Sequence, residues 1–590
     1  MQFSIIKTFA IACILFLQMG PQADASETGE GAGSLMSDYL AARIDAFGNR
    51  FDRAAERLTA IHDAVPASPH ILRNLLHFRI GSGDFEGSLD VARQLDALQP
   101  GTDDIAVNLL AIGDFVDGDF NSALQRYQDS ELNIGSTFLT ILSGWTHFVN
   151  NDAAADAVLE GHDPTDPLLT FVRFHHALIH ALRGNYAKAD ETVLSILEIE
   201  NPEKFIPNTL LGEMMVLRVQ LLAAQGRVED AKSLAGLAPT GVPELAIERL
   251  AVLKQRLSPG ETIEFDYLDN PVDGIALFAS EIGSSFAREG DFDTGLIWAH
   301  FSLFLNPDST ALALLVANRF EELEGWEMAE GVYGSVPPDD PLFKFAEIAR
   351  AETLHQLDRT EEALNALKEL ITSPLVDADV HLALGRIHNV ESNHEQALES
   401  FNTAIDLIEV ENLEAIRPKN PTSDWLVYYY RAIALERLGR WQESKVDFRR
   451  AAQDSGQNPY VLNYLGYSLA DKGEELDEAM RLIRIAVEKM PENGAFIDSL
   501  GWVLFKLGRY DEAVPQLELA IRLEPHDPVV MDHLGDAYWT VGRKREAEFQ
   551  WRRALEYDDE ITDEFSIMRK LEVGLGEVIA SERLQPVVPD

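Results

Sequence analysis

The chain has 590 residues, of which 46% are hydrophobic and 25% charged, so it is too long for one ordinary globular domain. Its 98 Asp and Glu against 49 Lys and Arg give a formal net charge of −49, which repels phosphate backbones and disfavours binding to nucleic acid. Basic or neutral protein partners suit such a surface better.

Residues 1–25 have the features of a signal peptide. A basic residue precedes the apolar run 8–19, and the small residues Ala23 and Ala25 precede the predicted cleavage point. The run is short for a membrane span, and no later stretch is long and apolar enough for one. We therefore expect an exported, periplasmic protein. Cys13 lies in this run within the sequence AIAC, which leaves lipid attachment and a peripheral place at the outer membrane as the open alternative.

A repeated unit runs through most of the remaining chain. Gly501 matches Gly535 and Ala513 matches Ala547, with the same offset in both pairs. Each unit carries apolar residues at three- and four-residue spacing, then a turn glycine such as Gly508, then a small residue in the second helix. A single hairpin of this kind cannot bury both of its faces, so neighbouring hairpins must stack into a solenoid.

These units resemble the tetratricopeptide repeat (TPR). The resemblance rests on the small residue that lets the second helix of each unit approach the first. It is found at Ala54, Ser88, Ala123, Ala155, Ala189, Ala231, Gly295, Ala329, Ala363, Ala397, Ser444, Ala479, Ala513 and Ala547. The resemblance implies an all-α superhelical solenoid of about 13 or 14 helical hairpins. It also implies that extended peptides or partner proteins bind along a concave groove formed by the first helices.

Two interruptions divide the predicted array into three parts. Proline and glycine mark the first interruption as a loop, and the second is an insertion that widens the repeat spacing. The predicted segments are a signal peptide (1–25), a flexible linker (26–36), a degenerate N-terminal array (37–256), a loop break (257–274), a central array (275–408), an inserted loop (409–424), a C-terminal array (425–560), and a capping helix with a tail (561–590).

The sequence shows no familiar catalytic motif. DNPVDG at 269–274 has Pro271 at a position where a calcium loop needs a ligand, and GEGAGS at 29–34 follows no strand. His176 and His180 have the spacing of two metal ligands, but without an evident third ligand we expect packed or groove-facing histidines. The sequence therefore predicts a non-enzymatic protein without a metal or cofactor. A metal-dependent enzyme with an unrecognised site around the two histidines is the least favoured alternative.

A stripe of aromatic and acidic residues runs beside the core face of the C-terminal first helices. Asp498, Trp502 and Phe505 follow at four- and three-residue spacing, and the neighbouring repeats place further residues on the same face. Aromatic side chains often carry binding energy, and aspartates suit a partner's Lys or Arg. The predicted partner-binding residues, called the stripe below, are Tyr429, Asn463, Tyr464, Tyr467, Asp498, Trp502, Phe505, Asp532, His533, Asp536 and Trp539. The open alternative is that Trp502, Phe505 and Trp539 pack against an adjacent repeat or the capping helix.

The C-terminal repeats give the resemblance a narrower form. FIDSLGWVLFKLGRYDEAV and DHLGDAYWTVGRKREAEFQW look like the ends of long secreted TPR proteins of proteobacteria. These include envelope lipoprotein adaptors that scaffold a carboxy-terminal processing protease and deliver cell-wall hydrolases to it. The resemblance implies an exported scaffold in the bacterial cell envelope, with an envelope protease or cell-wall enzyme as a candidate partner. The alternative is an outer-membrane lipoprotein adaptor that presents substrates to an envelope protease.

Overall fold

The computed structural model describes residues 29–582 except 49, 67, 164, 199–205, 238–241, 258–263, 414–423 and 558–563. All regular secondary structure in these residues is α-helix, in 31 helices, which confirms the predicted all-α class. None of the described helices has both the length and the apolar character that crossing a membrane requires. The predicted signal peptide lies outside the described residues.

The chain forms two compact units, residues 1–375 (unit 1) and 376–590 (unit 2). The described helices of unit 1 are α1 (Gly29–Phe47), α2 (Phe51–Ala64), α3 (Pro69–Gly81), α4 (Phe85–Leu98), α5 (Asp104–Val116), α6 (Phe120–Asp129), α7 (Ser136–Val149), α8 (Ala154–Glu160), α9 (Leu169–Leu182), α10 (Tyr186–Leu197), α11 (Asn208–Ala224), α12 (Val228–Ala235), α13 (Glu244–Arg256), α14 (Pro271–Arg288), α15 (Phe292–Leu305), α16 (Thr310–Glu322), α17 (Trp326–Tyr333), α18 (Phe343–Gln356) and α19 (Thr360–Thr372).

Unit 2 repeats the same pattern with more regular spacing. Its described helices are α20 (Ala378–Val390), α21 (His394–Leu413), α22 (Asp424–Arg437), α23 (Trp441–Asp454), α24 (Pro459–Asp471), α25 (Leu476–Lys489), α26 (Gly494–Lys506), α27 (Tyr510–Leu523), α28 (Pro528–Thr540), α29 (Lys544–Ala554), α30 (Glu564–Val573) and α31 (Leu575–Glu582).

Consecutive helices pair as hairpins in both units. In the described part of unit 1, nine hairpins form and α13 packs singly on α11 and α12. Unit 2 has five hairpins from α20 to α29, followed by the pair α30–α31. The helical hairpins that the repeat predicts are therefore present in each unit.

Small residues explain why the two helices of a hairpin approach so closely. A Cβ on Gly501 of α26 would lie 2.5 Å from the Leu517 side chain of α27, and Ala513 is fully buried at the same contact. Gly508 ends α26 with a positive φ of 74°, a conformation that glycine adopts at little cost. At the start of α26 the Asn493 side chain accepts a hydrogen bond from the Phe496 backbone N–H (3.0 Å).

Three helix boundaries differ from the predicted segments. α1 begins at Gly29, so part of the predicted linker 26–36 is helical, because Leu35 packs against the core of unit 1. α14 begins at Pro271, inside the predicted loop break 257–274. α21 continues to Leu413, inside the predicted loop 409–424, and the rest of that loop before α22 lies outside the described residues.

The start of α14 follows from its capping residues. The Asn270 side chain accepts from the backbone N–H of Asp273, and the Asp273 side chain accepts in return from the N–H of Asn270. Proline is favourable at the first helical position because its missing N–H would have no partner there. The sequence DNPVDG therefore works as a helix start.

Candidate functional site

In unit 1 the first-helix face of the N-terminal hairpins is filled by the chain itself. The hairpin α14–α15 lies against α3, α5, α7 and α9. Phe138 on α7 contacts Phe278 on α14 and Trp298 on α15, with ring centroids 5.2 and 6.0 Å apart. Gly274 lies so close to Trp145 that a Cβ would have no room. A peptide partner would therefore meet α14 and α15 where the resemblance implies a groove.

A buried polar contact holds this hairpin in place. The Trp145 indole N–H donates to His175 Nδ1 (3.2 Å), so the ring proton of a neutral His175 is on Nε2. His175 Nε2 lies 3.1 Å from Glu281 Oε2 on α14 and donates to it. His175 is fully buried, and its contacts are structural.

In unit 2 the C-terminal part of the stripe is packed. Trp502 stacks on Phe505 within α26 and on His533 of α28, with centroid distances of 5.1 and 3.9 Å. Trp502 and Phe505 are 7% and 9% exposed. A histidine of the next repeat covers the indole, so the structure favours the alternative in which these two residues pack against an adjacent repeat.

A buried ion pair lies beside these rings. His533 Nδ1 donates to the Asp498 carboxylate at 2.9 Å, and both side chains are 6% exposed. Burial by itself would lower the pKa of His533, but the charge and hydrogen bond of Asp498 outweigh burial and raise it. Asp498 therefore serves His533 and is not free for a partner's Lys or Arg.

The capping helix closes the end of the stripe. Lys570 of α30 donates to Asp532 (2.8 Å) and Asp536 (3.0 Å), and Trp551 Nε1 donates to Asp536 (3.1 Å). Burial opposes the charge of Lys570, but the two carboxylates outweigh burial and raise its pKa. Burial and then the charge of Asp532 raise the pKa of Asp536. The two aspartates therefore already hold a lysine, supplied by this chain.

Trp539 is partly covered from the same side. The backbone of Gly574, between α30 and α31, has φ +82° and leaves no room for a Cβ against the indole. The Lys544 ammonium lies 4.6 Å from the ring centroid. Trp539 is therefore also a packing residue at this end of unit 2.

The N-terminal part of the stripe stays partly exposed. Tyr429, Asn463, Tyr464 and Tyr467 come from α22 and α24, and none of them is fully buried. The rings of Tyr429 and Tyr464 meet edge to face at 5.7 Å, and Tyr467 lies 6.1 Å from His533. Burial raises the pKa of Tyr429 and Tyr467, so both hydroxyls remain protonated and able to donate.

Asn463 carries an unpaired acceptor in this partly exposed region. Its Oδ1 atom is shielded from solvent and has no hydrogen-bond partner among the described residues. Leaving a buried polar atom unpaired costs about 1–3 kcal/mol, so a donor that reached it would gain more than a donor to an exposed oxygen.

A second cluster lies in unit 1, around the two histidines that the sequence singled out. Asp156 of α8, His176 and His180 each offer one ligand atom, and these atoms lie within 4.8 Å of one another. His176 Nε2 is 3.0 Å and His180 Nε2 4.0 Å from Asp156 Oδ1, to which Arg183 also donates (2.7 Å). Both ring nitrogens of His180 are buried without a hydrogen-bond partner in the described part of the chain. Burial lowers the pKa of His180 to about 4, so the ring is neutral.

Three residues of these sites were missed from the sequence. Lys570 follows Asp536 at the same spacing that separates Gly501 from Gly535, and this offset could have placed it on the stripe. Asp156 lies beside Ala155 in the weakest copy of the repeat, where the repeat spacing does not predict which face of the helix a residue occupies. Glu281 is distant from His175 along the chain, and no periodic signal connects them.

Residues 348–412 and 498–527 match models of the tetratricopeptide repeat. These two stretches are therefore similar to tetratricopeptide repeats. A TPR repeat-containing protein of Pseudomonas aeruginosa is 27% identical over 189 residues, which make up 32% of this chain and 30% of that protein. The chain thus spans about a third of the length of this curated relative.

Two solved structures show similarity over most of the chain at low identity. A structure of the Cut9–Hcn1 hetero-tetramer of the APC/C is 14% identical, covers 96% of this chain and 99% of its own, and has a TM-score of 0.40. Yeast Tom70 is also 14% identical, with coverage of 94% and 97% and a TM-score of 0.32. A scaffold of repeated helical hairpins is suited to protein–protein interaction.

Proposed function

We propose that the protein is a non-enzymatic, exported scaffold that binds protein or peptide partners on α22 and α24 of unit 2. One observation carries this proposal. The first-helix face of the N-terminal hairpins is filled by α14 and α15, and the end of the stripe is closed by Lys570, whereas Tyr429, Asn463, Tyr464 and Tyr467 remain partly exposed.

The partly exposed side chains indicate what kind of partner fits. Tyrosine offers a large rigid surface at low entropic cost and a hydroxyl that can donate to a peptide carbonyl. Asn463 can pair with a backbone amide, and Glu436 and Asp471 lie near the tyrosines, since their charges act on Tyr464 and Tyr467. Glu436 lies 3.5 Å from Lys472 and Asp471 lies 3.6 Å from Lys506. A partner with an extended, basic segment would share these carboxylates with the two lysines, and salt would weaken its binding.

Binding at these tyrosines is tested by substitution. Tyr429→Ala combined with Tyr467→Ala should lower the recovery of a co-purified partner at least tenfold, because aromatic side chains often carry about 2 kcal/mol at an interface. Circular dichroism should show unchanged helicity. The matched control is Phe549→Ala, an aromatic that is 58% exposed on the second helix α29. Equal recovery with the double variant and the control would refute the assignment.

Export to the cell envelope is part of the same proposal. It rests on the apolar run 8–19 and the small residues before position 26. The expected result is that N-terminal sequencing of the protein from a periplasmic extract begins at Ser26. A cytoplasmic chain that still begins at Met1 would contradict export. A mature chain beginning at lipidated Cys13 would favour the alternative, an outer-membrane adaptor that presents substrates to an envelope protease.

A further inference from the structure

We propose that Asp156, His176 and His180 form a binding site for one zinc ion in unit 1. The proposal is independent of partner binding in unit 2. Zinc takes imidazole nitrogens and carboxylate oxygens at about 2.0–2.2 Å, which places the ligand atoms of a tetrahedral site about 3.3–3.6 Å apart. The separations of 3.0 and 4.0 Å from Asp156 Oδ1 to the two histidine nitrogens bracket that range.

The surroundings of the two histidines suit a cation. His180 is 1% exposed and neither of its ring nitrogens has a hydrogen-bond partner in the described part of the chain, although nearly all buried polar groups are paired in proteins. The two imidazoles face each other with centroids 4.2 Å apart. An ion bound at Nε2 of His180 would give one of these two unpaired nitrogens a partner.

The position of the cluster gives the ion a structural task. Asp156 lies on α8, which has 7 residues and is the shortest of the described helices, whereas both histidines lie on α9. A helix this short has little stability of its own, so a bond from Asp156 to an ion on α9 would hold it in place. Three protein ligands leave a fourth position for water or for a group of another molecule. The positive charge of Arg183 opposes cation binding, because the ion has to share the Asp156 carboxylate with this arginine.

Zinc titration of the full-length chain tests the site. After dialysis against a chelator, the wild-type chain should take up one equivalent of zinc that survives desalting, and its first unfolding transition should move to higher temperature. Asp156→Asn and His180→Gln should each lose this equivalent and the shift. The matched control is His162→Gln, which breaks another histidine–aspartate pair of unit 1, with Asp166 at 2.8 Å, and should keep both.

Cobalt separates this site from carboxylates on the acidic surface. Co²⁺ in a four-coordinate site with two imidazoles gives an intense visible absorption band, whereas surface carboxylates hold it as a pale six-coordinate ion. The band should appear in the wild type and in His162→Gln, and not in Asp156→Asn. If His180→Gln does not fold, Asp156→Asn decides, because its side chain is one-third exposed. Zinc uptake that never saturates at one equivalent, or a band undiminished in Asp156→Asn, would overturn the proposal.

Discussion

Lys570→Met is expected to lower the free energy of unfolding of the last hairpins by about 3–5 kcal/mol, because it leaves the buried Asp536 and the partly buried Asp532 without their cation. The lysine side chain is 8% exposed and lies within 3.0 Å of both Asp532 and Asp536. In a repeat protein each unit contacts only its neighbours, so the loss should be local. Hydrogen exchange in α28–α30 should accelerate at least about a hundredfold, with exchange in α22 and α24 unchanged.

Two further variants test whether the lost charge of Lys570 causes this destabilisation. Lys544→Met makes the same change at an exposed position of α29 and should lower the free energy of unfolding by less than about 1 kcal/mol. Adding Asp532→Asn and Asp536→Asn to Lys570→Met should recover part of the stability, because no unpaired carboxylate then remains beside position 570. A Lys570→Met chain that exchanges like Lys544→Met would show that α30 does not close the stripe in solution.

Trp502→Ala is expected to cost about 3–5 kcal/mol, the usual loss for removing a buried tryptophan. The indole is 7% exposed, stacks on Phe505 and His533, and covers the buried pair of His533 with Asp498. Exchange in α26 and α28 should therefore rise together, although the substitution is only in α26. Phe565→Ala serves as the control, because Phe565 is 69% exposed, and it should leave the hydrogen-exchange rates nearly unchanged.

Hydrogen exchange in the Trp502→Ala variant distinguishes a loss of stability from a loss of partner binding. If Trp502 lay on an open groove, its loss would weaken partner binding and leave exchange near that of Phe565→Ala. In the packed arrangement it destabilises α26 and α28, so any loss of binding would be secondary. Tyr429 and Tyr467 are therefore better probes of the interface than Trp502.

The helical hairpins could be predicted from the sequence because the signals for them are local. Gly501, Gly508 and Ala513 all lie within one repeat unit, and each reports a contact or turn inside that unit. The same periodicity placed Asp498 and Trp502 on one face of α26. It could not show that His533 covers them, because periodicity identifies a face and not the side chain that packs on it.

Contacts between distant segments account for the larger differences. The loop break before α14 looked like a boundary between arrays, yet Phe278 lies against Phe138, several repeat units earlier in the chain. A repeat pattern describes contacts between neighbours, so a hairpin that packs across several earlier ones leaves no periodic trace. Asp156 was missed for a related reason, since it meets His176 and His180 only through the packing of α8 on α9.

Site-specific photo-crosslinking in living cells tests the central claim most directly. A benzophenone amino acid at position 463 or 467 should give a discrete adduct with a partner protein, whereas the same amino acid at position 446 should not. Val446 is 65% exposed on the second helix α23, so it samples a different face of the same part of unit 2. Excess of a basic peptide should compete with the adduct. Equal adducts from positions 446 and 467, or none from the stripe positions, would contradict the account.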